Sequence, residues 1–266
     1  MAEKPRILVS NDDGYFSEGL QALVEAVSPL GEVWVVAPDR EQSAASHAIS
    51  LHRPLRIKEV RERWFSVDGT PTDCSYLAIH HILKDARPTL MVSGINHGAN
   101  MADDVTYSGT VAAAMEAALL GVPAIAFSLV QRGPFGHESF THCKPFIRSL
   151  VETALGQKQL PPRMLLNVNF PGNGVVPQGY AVTRLGRHSY GYGVVENTDP
   201  RGRKYYWIGG TDYEHEDIPG SDCNAVLRDR RVSVTPLHFD LTDQSRVGEL
   251  KGWTLPGFQR FEQDGA

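Results

Sequence analysis

Two neighbouring carboxylates follow the first apolar run of the chain, and their chemistry is the clearest in the sequence. Asn11-Asp12-Asp13-Gly14 comes directly after Arg6–Ser10, a run typical of a buried strand. Two carboxylates at the end of a buried strand repel each other and lose hydration unless a positive charge lies between them. A divalent cation is the simplest such charge. The alternative interpretation is an Asx turn with a helix cap, because this tetrapeptide is also a good turn sequence.

Two further oxygen-bearing side chains follow later predicted strands. Ser43 lies in the loop after the second strand, and Asn96 follows the strand that ends at Ser93. Ligands of open α/β sheets bind outside the carboxyl ends of the strands, so these side chains are predicted to share one edge with Asp12 and Asp13. Such an all-oxygen set suits one Mg²⁺ or Mn²⁺ ion better than Zn²⁺. Taken alone, Ser43 or Asn96 is better explained by a hydrogen bond within its loop.

A motif that resembles an anion site precedes an Ala-rich helix. Ser108-Gly109-Thr110 places free backbone N–H groups and the positive end of the helix in front of residues 111–120. A helix N-cap without any ligand is the commoner meaning of this motif. As a phosphate site it would complement the predicted cation.

The sequence lacks the motifs of several other classes of phosphate-binding protein. No Gly-x-Gly-x-x-Gly follows the first strand, and no Gly-Lys-Ser/Thr loop occurs in the chain, which weakens the dinucleotide and P-loop interpretations. The carboxylate pair also lacks the Asp-x-Asp spacing of an aspartyl-phosphate phosphatase. Water is therefore the preferred nucleophile.

Composition and charge limit the classes of partner that this chain is expected to bind. The chain has 266 residues, 41% hydrophobic and 21% charged, which is typical of a globular protein. A net charge of −5 and a pI near 6.1 argue against a nucleic acid polymer as a stable partner. The N-terminus has no signal-like segment, and residues 111–130 are divided by Gly121 and Pro123, so we expect no membrane association. Three separated cysteines favour a reducing cytoplasm: Cys74, Cys143 and Cys223.

Short apolar runs alternate with helical periodicity in the first part of the chain. This alternation predicts an α/β fold with a mostly parallel sheet and helices on both faces. The predicted strands are residues 6–10, 33–37, 89–93, 124–129 and 164–170, and the predicted helices are residues 17–27, 70–83, 109–120 and 140–155.

The pattern changes after Pro171. Gly- and Tyr-rich residues 188–193, a turn at Asp199-Pro200-Arg201-Gly202 and the aromatic residues 205–207 predict a projecting β-hairpin, a feature that often meets a partner subunit. The acidic residues 212–222 are expected to form a solvated loop. We predict a single domain over residues 1–266, with an α/β core to about residue 171 and a hairpin and C-terminal extension in residues 172–266.

Eight short segments together resemble the SurE family of survival-protein nucleotidases. They occur in the family's order over nearly the whole chain, and their joint order and spacing are highly specific. The segments are residues 7–14 (ILVSNDDG), 37–46 (APDREQSAAS), 69–73 (GTPTD), 92–96 (VSGIN), 107–113 (YSGTVAA), 167–171 (NVNFP), 199–202 (DPRG) and 232–237 (VSVTPL).

The resemblance implies a metal-dependent phosphatase with a Rossmann-like core. The expected substrates are nucleoside 5′- and 3′-monophosphates, with short polyphosphate as a candidate further substrate, and the expected assembly is a homodimer or homotetramer built through the hairpin and C-terminal extension. Carried over by position, the metal ligands are Asp12, Asp13, Ser43 and Asn96. The chain departs from the family pattern at residues 16–19 (FSEG), and at Ala44 and Ala102, where glycine is usual.

The predicted reaction is in-line attack on phosphorus by a metal-activated water. Donors of Ser108, Gly109 and Thr110 hold phosphoryl oxygens. Asp13 or Asp104 is a candidate base, and His238 is a candidate proton donor to the leaving group, although a structural role is the commoner one for such a histidine. Tyr15, Phe16 and Tyr107 flank the same loops and are candidates for base stacking or for plain packing. The alternative function is a non-catalytic nucleotide-binding sensor; a weaker one is an assembly protein that acts through its aromatic hairpin.

Overall fold

The computed structural model of the protein describes residues 4–130, 137–161, 163–172, 175–190, 193–208 and 213–259. Within them the strands are β1 (Arg6–Ser10), β2 (Glu32–Pro38), β3 (Ile57–Arg61), β4 (Trp64–Val67), β5 (Leu90–His97), β6 (Ala124–Leu129), β7 (Leu165–Phe170), β8 (Tyr180–Val182), β9 (His188–Tyr190), β10 (Val194–Thr198), β11 (Lys204–Ile208), β12 (Tyr213–His215) and β13 (Val232–Pro236). The α-helices are α1 (Glu18–Val27), α2 (Pro71–Leu77), α3 (Gly109–Leu119), α4 (Lys144–Leu155) and α5 (Gln244–Lys251).

One large sheet organises the fold. Its strand order is β3-β4-β2-β1-β5-β6-β7-β13-β8, and among these strands only the β3–β4 and β7–β13 pairs are antiparallel. The order reverses between β1 and β5, because the chain continues from β1 to β2 on one side and returns on the other. The carboxyl ends of β1 and β5 therefore frame the crevice where such sheets bind ligands. The predicted α/β fold with a mostly parallel sheet is confirmed.

Helices cover both faces of the sheet, as predicted. Successive residues of β1 point to opposite faces: Ile7 and Val9 pack on the side of α1 and α4, while Leu8 packs on the side of α2 and α3. A strand that is buried on both faces of a sheet has a mostly continuous apolar sequence, and β1 and β6 have such sequences. Burial on both faces leaves the strand ends as the place for polar chemistry.

Helix boundaries follow local signals more closely than periodicity. Ser17 caps α1 as predicted, since its Oγ accepts the N–H of Leu20. The helix predicted for residues 70–83 is divided into α2 and a π-helical segment, Ala78–Ile82. Helix α4 begins later than predicted because proline lies in its first turn, and residues His137–Cys143 before it form a 3₁₀ helix.

The sequence patterns did not predict strands β3 and β4. Strand β3 contains Lys58, Glu59 and Arg61, so it lacks an apolar run. It lies at the edge of the sheet, where charged side chains discourage pairing with other chains. The edge position explains both the sequence of β3 and why β3 was missed; β4, the next strand of the sheet, is short and mostly buried.

The second part of the chain adds to the same sheet and builds the predicted hairpin. Strands β13 and β8 extend the sheet beyond β7. Strands β10 and β11 pair antiparallel and form the hairpin. In the turn between them, the Gly202 N–H donates to the Asp199 carbonyl at 2.9 Å. Strands β9 and β12 form a second ribbon at the base of this hairpin. Gly191, Tyr192 and Asp212, which belong to predicted segments, lie outside the described residues.

The expectation of a solvated acidic loop over residues 212–222 was wrong at its C-terminal end. Ser221 and Asp222 are fully buried, and the Asp222 carboxylate accepts the backbone N–H groups of Ala102, Gly186 and Cys223 at 2.8–3.0 Å. A carboxylate with three such donors tolerates burial. Acidic composition alone could not reveal these donors, because they come from distant parts of the chain.

Residues 111–130 form most of α3, a turn and β6, and most of them are buried. Across the described residues, every helix is too short or too polar to cross a membrane. The apolar character of this stretch is explained by packing against the sheet.

Helix α1 approaches β5 so closely that only glycine fits at position 19. A Cβ on Gly19 would lie 2.0 Å from the carbonyl oxygen of Ile95. We expect Gly19→Ala to lower the free energy of unfolding by about 1–3 kcal/mol, the range for overpacked sites, measured by urea denaturation. Gly248 in α5 is the matched control, because nothing lies within 4 Å of its Cβ position; Gly248→Ala should leave stability unchanged or raise it by up to about 1 kcal/mol. Equal effects of the two substitutions would contradict the close approach.

Candidate active site

The loop after β1 is held by residues other than its two aspartates. Asn11 is fully buried, and its Nδ2 donates to the Gly14 carbonyl at 3.0 Å and to Ser17 Oγ at 2.8 Å. Gly14 adopts φ +99°, which suits glycine, and Ser17 caps α1. The turn and the cap of the alternative interpretation are thus supplied by Asn11 and Ser17. The carboxylates of Asp12 and Asp13 are left without a structural role in the turn.

Asp12 lies against the N-terminus of α3. Its side chain is 4% exposed, and Thr110, which is fully buried, donates its hydroxyl to Asp12 Oδ1. A Cβ on Gly109 would lie 2.8 Å from Asp12 Cβ, so the helix comes this close only because residue 109 is glycine. Ser108 Oγ accepts the Val111 N–H as the N-cap. The predicted carboxylate site and the predicted anion site are therefore adjacent.

Burial and repulsion from a neighbouring carboxylate make both Asp12 and Asp13 reluctant to ionise. Burial, and after it the Asp13 carboxylate, raise the pKa of Asp12 from 3.8 to about 7, against a lowering by the Thr110 hydrogen bond. Burial also raises the pKa of Asp13, to about 6, with a lowering by the backbone N–H of His97 and a raising by Glu41. Within the described residues, the buried Oδ2 of Asp13 has no hydrogen-bond partner. A cation would relieve both effects.

The predicted ligands Ser43 and Asn96 reach the same edge. The Gln42 N–H donates to the Asp12 carbonyl at 2.8 Å, which places the next residue, Ser43, beside the carboxylate loop. Ser43 Oγ donates to Glu41 Oε1 at 2.7 Å, the kind of loop contact that the alternative interpretation expected. Asn96 donates from Nδ2 to the Gly98 carbonyl at 3.0 Å, so its amide oxygen is the end left to act as a ligand.

An irregularity in β5 directs Asn96. The register between β5 and β6 shifts between Ser93 and Asn96, as at a β-bulge. Gly94 lies inside the shift with φ +120°, and a Cβ there would lie 2.2 Å from the Phe127 carbonyl oxygen. Only glycine permits this backbone, so the irregularity directly before Asn96 depends on Gly94.

Asp104 and His238 are not placed as predicted. The Asp104 carboxylate pairs with His188, with 3.0 Å between Oδ2 and Nδ1, rather than facing Asp12. His238 follows β13, which runs antiparallel to β7, so it lies near the start of β7 and at the opposite edge of the sheet from Asp12. There its Nδ1 accepts the Asp240 N–H at 3.1 Å. We therefore drop both residues from the catalytic set of this chain.

Comparison with known proteins shows the family of this chain. The family model described as "Survival protein SurE" matches residues 7–192, well over half of the chain. The chain belongs to the SurE family. It is similar to proteins called 5′-nucleotidase SurE from Myxococcus xanthus, 78% identical over the whole of both chains, and from Anaeromyxobacter dehalogenans, 57% identical over 96% of this chain and 98% of that one.

A solved structure shares the fold. The crystal structure of the SurE protein from Aquifex aeolicus has a TM-score of 0.80 with this chain at 40% sequence identity, and covers 93% of this chain and 98% of its own. The carboxylate pair and the helix N-terminus described above thus occur on an established SurE fold.

The residues present fit a hard divalent cation in this SurE chain. Asp12 and Asp13 supply two buried negative charges, one with an orphaned oxygen, and Asn96 and Ser43 supply neutral oxygens. Within the described ranges, no group of three or more His, Cys, Asp or Glu side chains is arranged to hold a metal. A cation at this edge would therefore rest on two carboxylates, completed by neutral oxygens and water, as is usual for Mg²⁺ or Mn²⁺.

Sequence reasoning missed two residues of this SurE site, Asn11 and Glu41. It predicted Thr110 as a phosphate ligand but missed its contact with Asp12. Asn11 braces the loop, Glu41 adds a third carboxylate close enough to raise the pKa of Asp13, and Thr110 contacts Asp12 directly. A signal existed for Asn11, because an asparagine that opens a turn commonly bonds to the backbone ahead. No local signal existed for the other two contacts, which join residues far apart in the chain.

Removing one charge should stabilise the metal-free protein. Asp12 has a raised folded pKa, so its ionisation lowers native stability as the pH rises from about 4 to above 7. At pH 8 in EDTA, Asp12→Asn should raise the melting temperature by several degrees, because asparagine still accepts the Thr110 hydroxyl without carrying charge. The difference should shrink at pH 5.

Differential scanning calorimetry at both pH values measures this effect. Asp85→Asn is the control, since the Asp85 side chain is 88% exposed and pairs only loosely with Lys84. A lower melting temperature for Asp12→Asn at pH 8 would show that the carboxylate stabilises the fold instead.

Proposed function

We propose that this SurE chain hydrolyses nucleoside monophosphates to nucleoside and phosphate with one divalent cation held at Asp12 and Asp13. Its relatives at 57–78% identity are named 5′-nucleotidases, and on this basis the chain is a 5′-nucleotidase. The observation that carries the proposal is the contact of buried Asp12 with Gly109 and Thr110 at the start of α3. A cation site next to a helix N-terminus suits a phosphate ester.

The cation would be held by the two carboxylates with the amide oxygen of Asn96 and the hydroxyl of Ser43. When bound, Mg²⁺ or Mn²⁺ supplies Lewis acidity to a phosphoryl oxygen and lowers the pKa of a water molecule. The chain's own part is to hold both carboxylates ionised in one place. Asn11 and Thr110 do this by fixing the loop and the Asp12 carboxylate.

The N-terminus of α3 orients the phosphate. The first N–H groups of a helix point outward and carry partial positive charge, so they stabilise phosphoryl oxygens in the ground state and the transition state. Gly109 and Thr110 supply these groups, and both are buried, so water competes weakly for them. The Ser108 N–H already donates to the Asp104 carbonyl, so Ser108 offers the phosphate its hydroxyl instead. Of the two candidate bases, Asp13 stays in the set, since the Asp104 carboxylate is paired with His188.

The proposal extends to the finer properties that the family resemblance implies. The substrates include 3′-monophosphates and short polyphosphate, and the hairpin of β10 and β11 joins subunits into a homodimer or homotetramer. An apolar surface on the hairpin supports this assembly: Val194, Val195, Tyr205, Tyr206, Trp207 and Ile208 are exposed. The three cysteines are free and buried, which supports a cytoplasmic location.

Phosphate release tests the activity. Wild type should release inorganic phosphate from a panel of nucleoside 5′- and 3′-monophosphates with Mg²⁺ or Mn²⁺, and release should stop in EDTA. Asp12→Asn should lower kcat by about 10³-fold or more, because a lost charge weakens both cation binding and water activation. Asp85→Asn should retain full activity.

The alternative functions give different results. A nucleotide-binding sensor would bind nucleotide in EDTA, measured by calorimetry, and release no phosphate with either metal. An assembly protein that acts through its hairpin would be unaffected by Asp12→Asn. Folded wild type that releases no phosphate from any substrate would overturn the proposal.

The close contact at Gly109 provides an independent test. In Gly109→Ala, the new Cβ would lie 2.8 Å from Asp12 Cβ and 2.9 Å from its Oδ2. The helix and the carboxylate must move apart, and displacement by about 1 Å can lower rates about 10²-fold. We expect kcat/KM to fall by that order, while Gly248→Ala stays at the wild-type value. Wild-type kinetics in Gly109→Ala would show that the contact between α3 and Asp12 does not matter for the reaction.

A further inference from the structure

A second group of titratable side chains lies at the base of the hairpin. His188 on β9 pairs with Asp104 through Nδ1, and its Nε2 lies 3.6 Å from Cys223 Sγ. The His188 side chain is 6% exposed and that of Asp104 is 28% exposed. The group joins three parts of the chain that are distant in sequence, and the function proposed above does not use it.

This aspartate, histidine and cysteine arrangement resembles a nucleophilic triad but lacks the properties of one. Cys223 is fully buried, and burial together with Asp222 and Asp104 raises the pKa of its thiol to about 12. A buried neutral thiol is a poor nucleophile. The group is therefore better explained by a structural role, in which it fixes the positions of the chain segments that it joins.

The Asp104 end of the pair belongs to the segment that leads into the phosphate site. Asp104 lies in the 3₁₀ helix Ala102–Thr106, and its backbone carbonyl accepts the N–H groups of Tyr107 and Ser108 at 2.9 and 3.1 Å. Ser108 then caps α3. The position of Asp104 thus fixes the residues immediately before the helix N-terminus.

Other contacts hold the same segment to the base of the hairpin. Asp222 Oδ2 accepts the Ala102 N–H at 3.0 Å, and the His188 N–H lies 3.4 Å from Asp103 Oδ2. Ala102 has φ +51°, a conformation that alanine adopts reluctantly without external support. The strained start of the 3₁₀ helix is therefore held from outside, by β9 and by the loop of residues 221–223.

We propose that His188 is a positioning residue for the phosphate site: by pairing with Asp104 it keeps residues 102–108, and with them the N-terminus of α3, in the conformation that receives phosphate. The proposal rests on the function proposed above. Asp104 also raises the pKa of His188, which favours the charged form of the pair. Without the pair, the segment samples other conformations, and phosphate must select the competent fraction.

Substitution of His188 should therefore weaken binding more than turnover. In His188→Gln, KM for a nucleoside 5′-monophosphate and the Kd for inorganic phosphate, measured by calorimetry with Mn²⁺ present, should both rise about fivefold. The value of kcat should stay within about twofold, since the bound state is unchanged. Amide hydrogen exchange over residues 102–110 should become faster.

His215→Gln is the matched control. His215 lies directly opposite His188 in the β9–β12 ribbon, so its substitution disturbs the ribbon without removing the pair. It should change neither KM nor exchange over residues 102–110. Asp104→Asn should act in the same direction as His188→Gln, and the double variant should be no worse than the stronger single one, because both remove one interaction.

The outcomes are distinct. Unchanged KM and exchange in His188→Gln, an equal effect of His215→Gln, or additive effects of the two partners would overturn the proposal. Should His188→Gln fail to fold, Asp104→Asn decides by the same measurements, because asparagine preserves the shape of the side chain. A chain that hydrolyses no nucleotide would overturn the proposed function, while exchange and phosphate binding would still decide the role of His188.

Discussion

The site depends on the burial of two adjacent carboxylates where the strand order of the sheet reverses. Such a pair is unfavourable without a positive partner, and its surroundings reduce that penalty. Thr110 donates to Asp12, the start of α3 contributes its dipole, and Gly109 allows the helix to come close enough for both to act. The sheet topology sets where β1 and β5 end, and so where the pair can lie.

Much of the fold could be predicted because its signals are local. Apolar runs predicted the buried strands, Ser17 predicted the start of α1, and a turn sequence predicted the hairpin of β10 and β11. Strand β3 could not be predicted, because an edge strand needs no apolar run. The buried Asp222 could not be predicted either, since its three donors belong to other segments.

The site was predicted to the extent that it follows from strand ends. Asp12, Asp13 and the helix start came together because parallel strands present their carboxyl ends at one edge. His238 was misplaced because sequence does not give strand direction, and β13 runs antiparallel to its neighbour. Asp104 was misassigned because its partner, His188, lies far along the chain. Long-range pairing is the information that one sequence lacks.

In the loop after β1, the residues that hold the backbone differ from those that carry the charge, and this has a practical consequence. Asn11 and Ser17 maintain the turn and the helix start, so the backbone there does not rely on the carboxylates. Folding and chemistry are carried by different side chains only a few residues apart. A carboxylate-deficient protein should therefore keep a native crevice and serve as a trap for crystallographic capture of an uncleaved substrate.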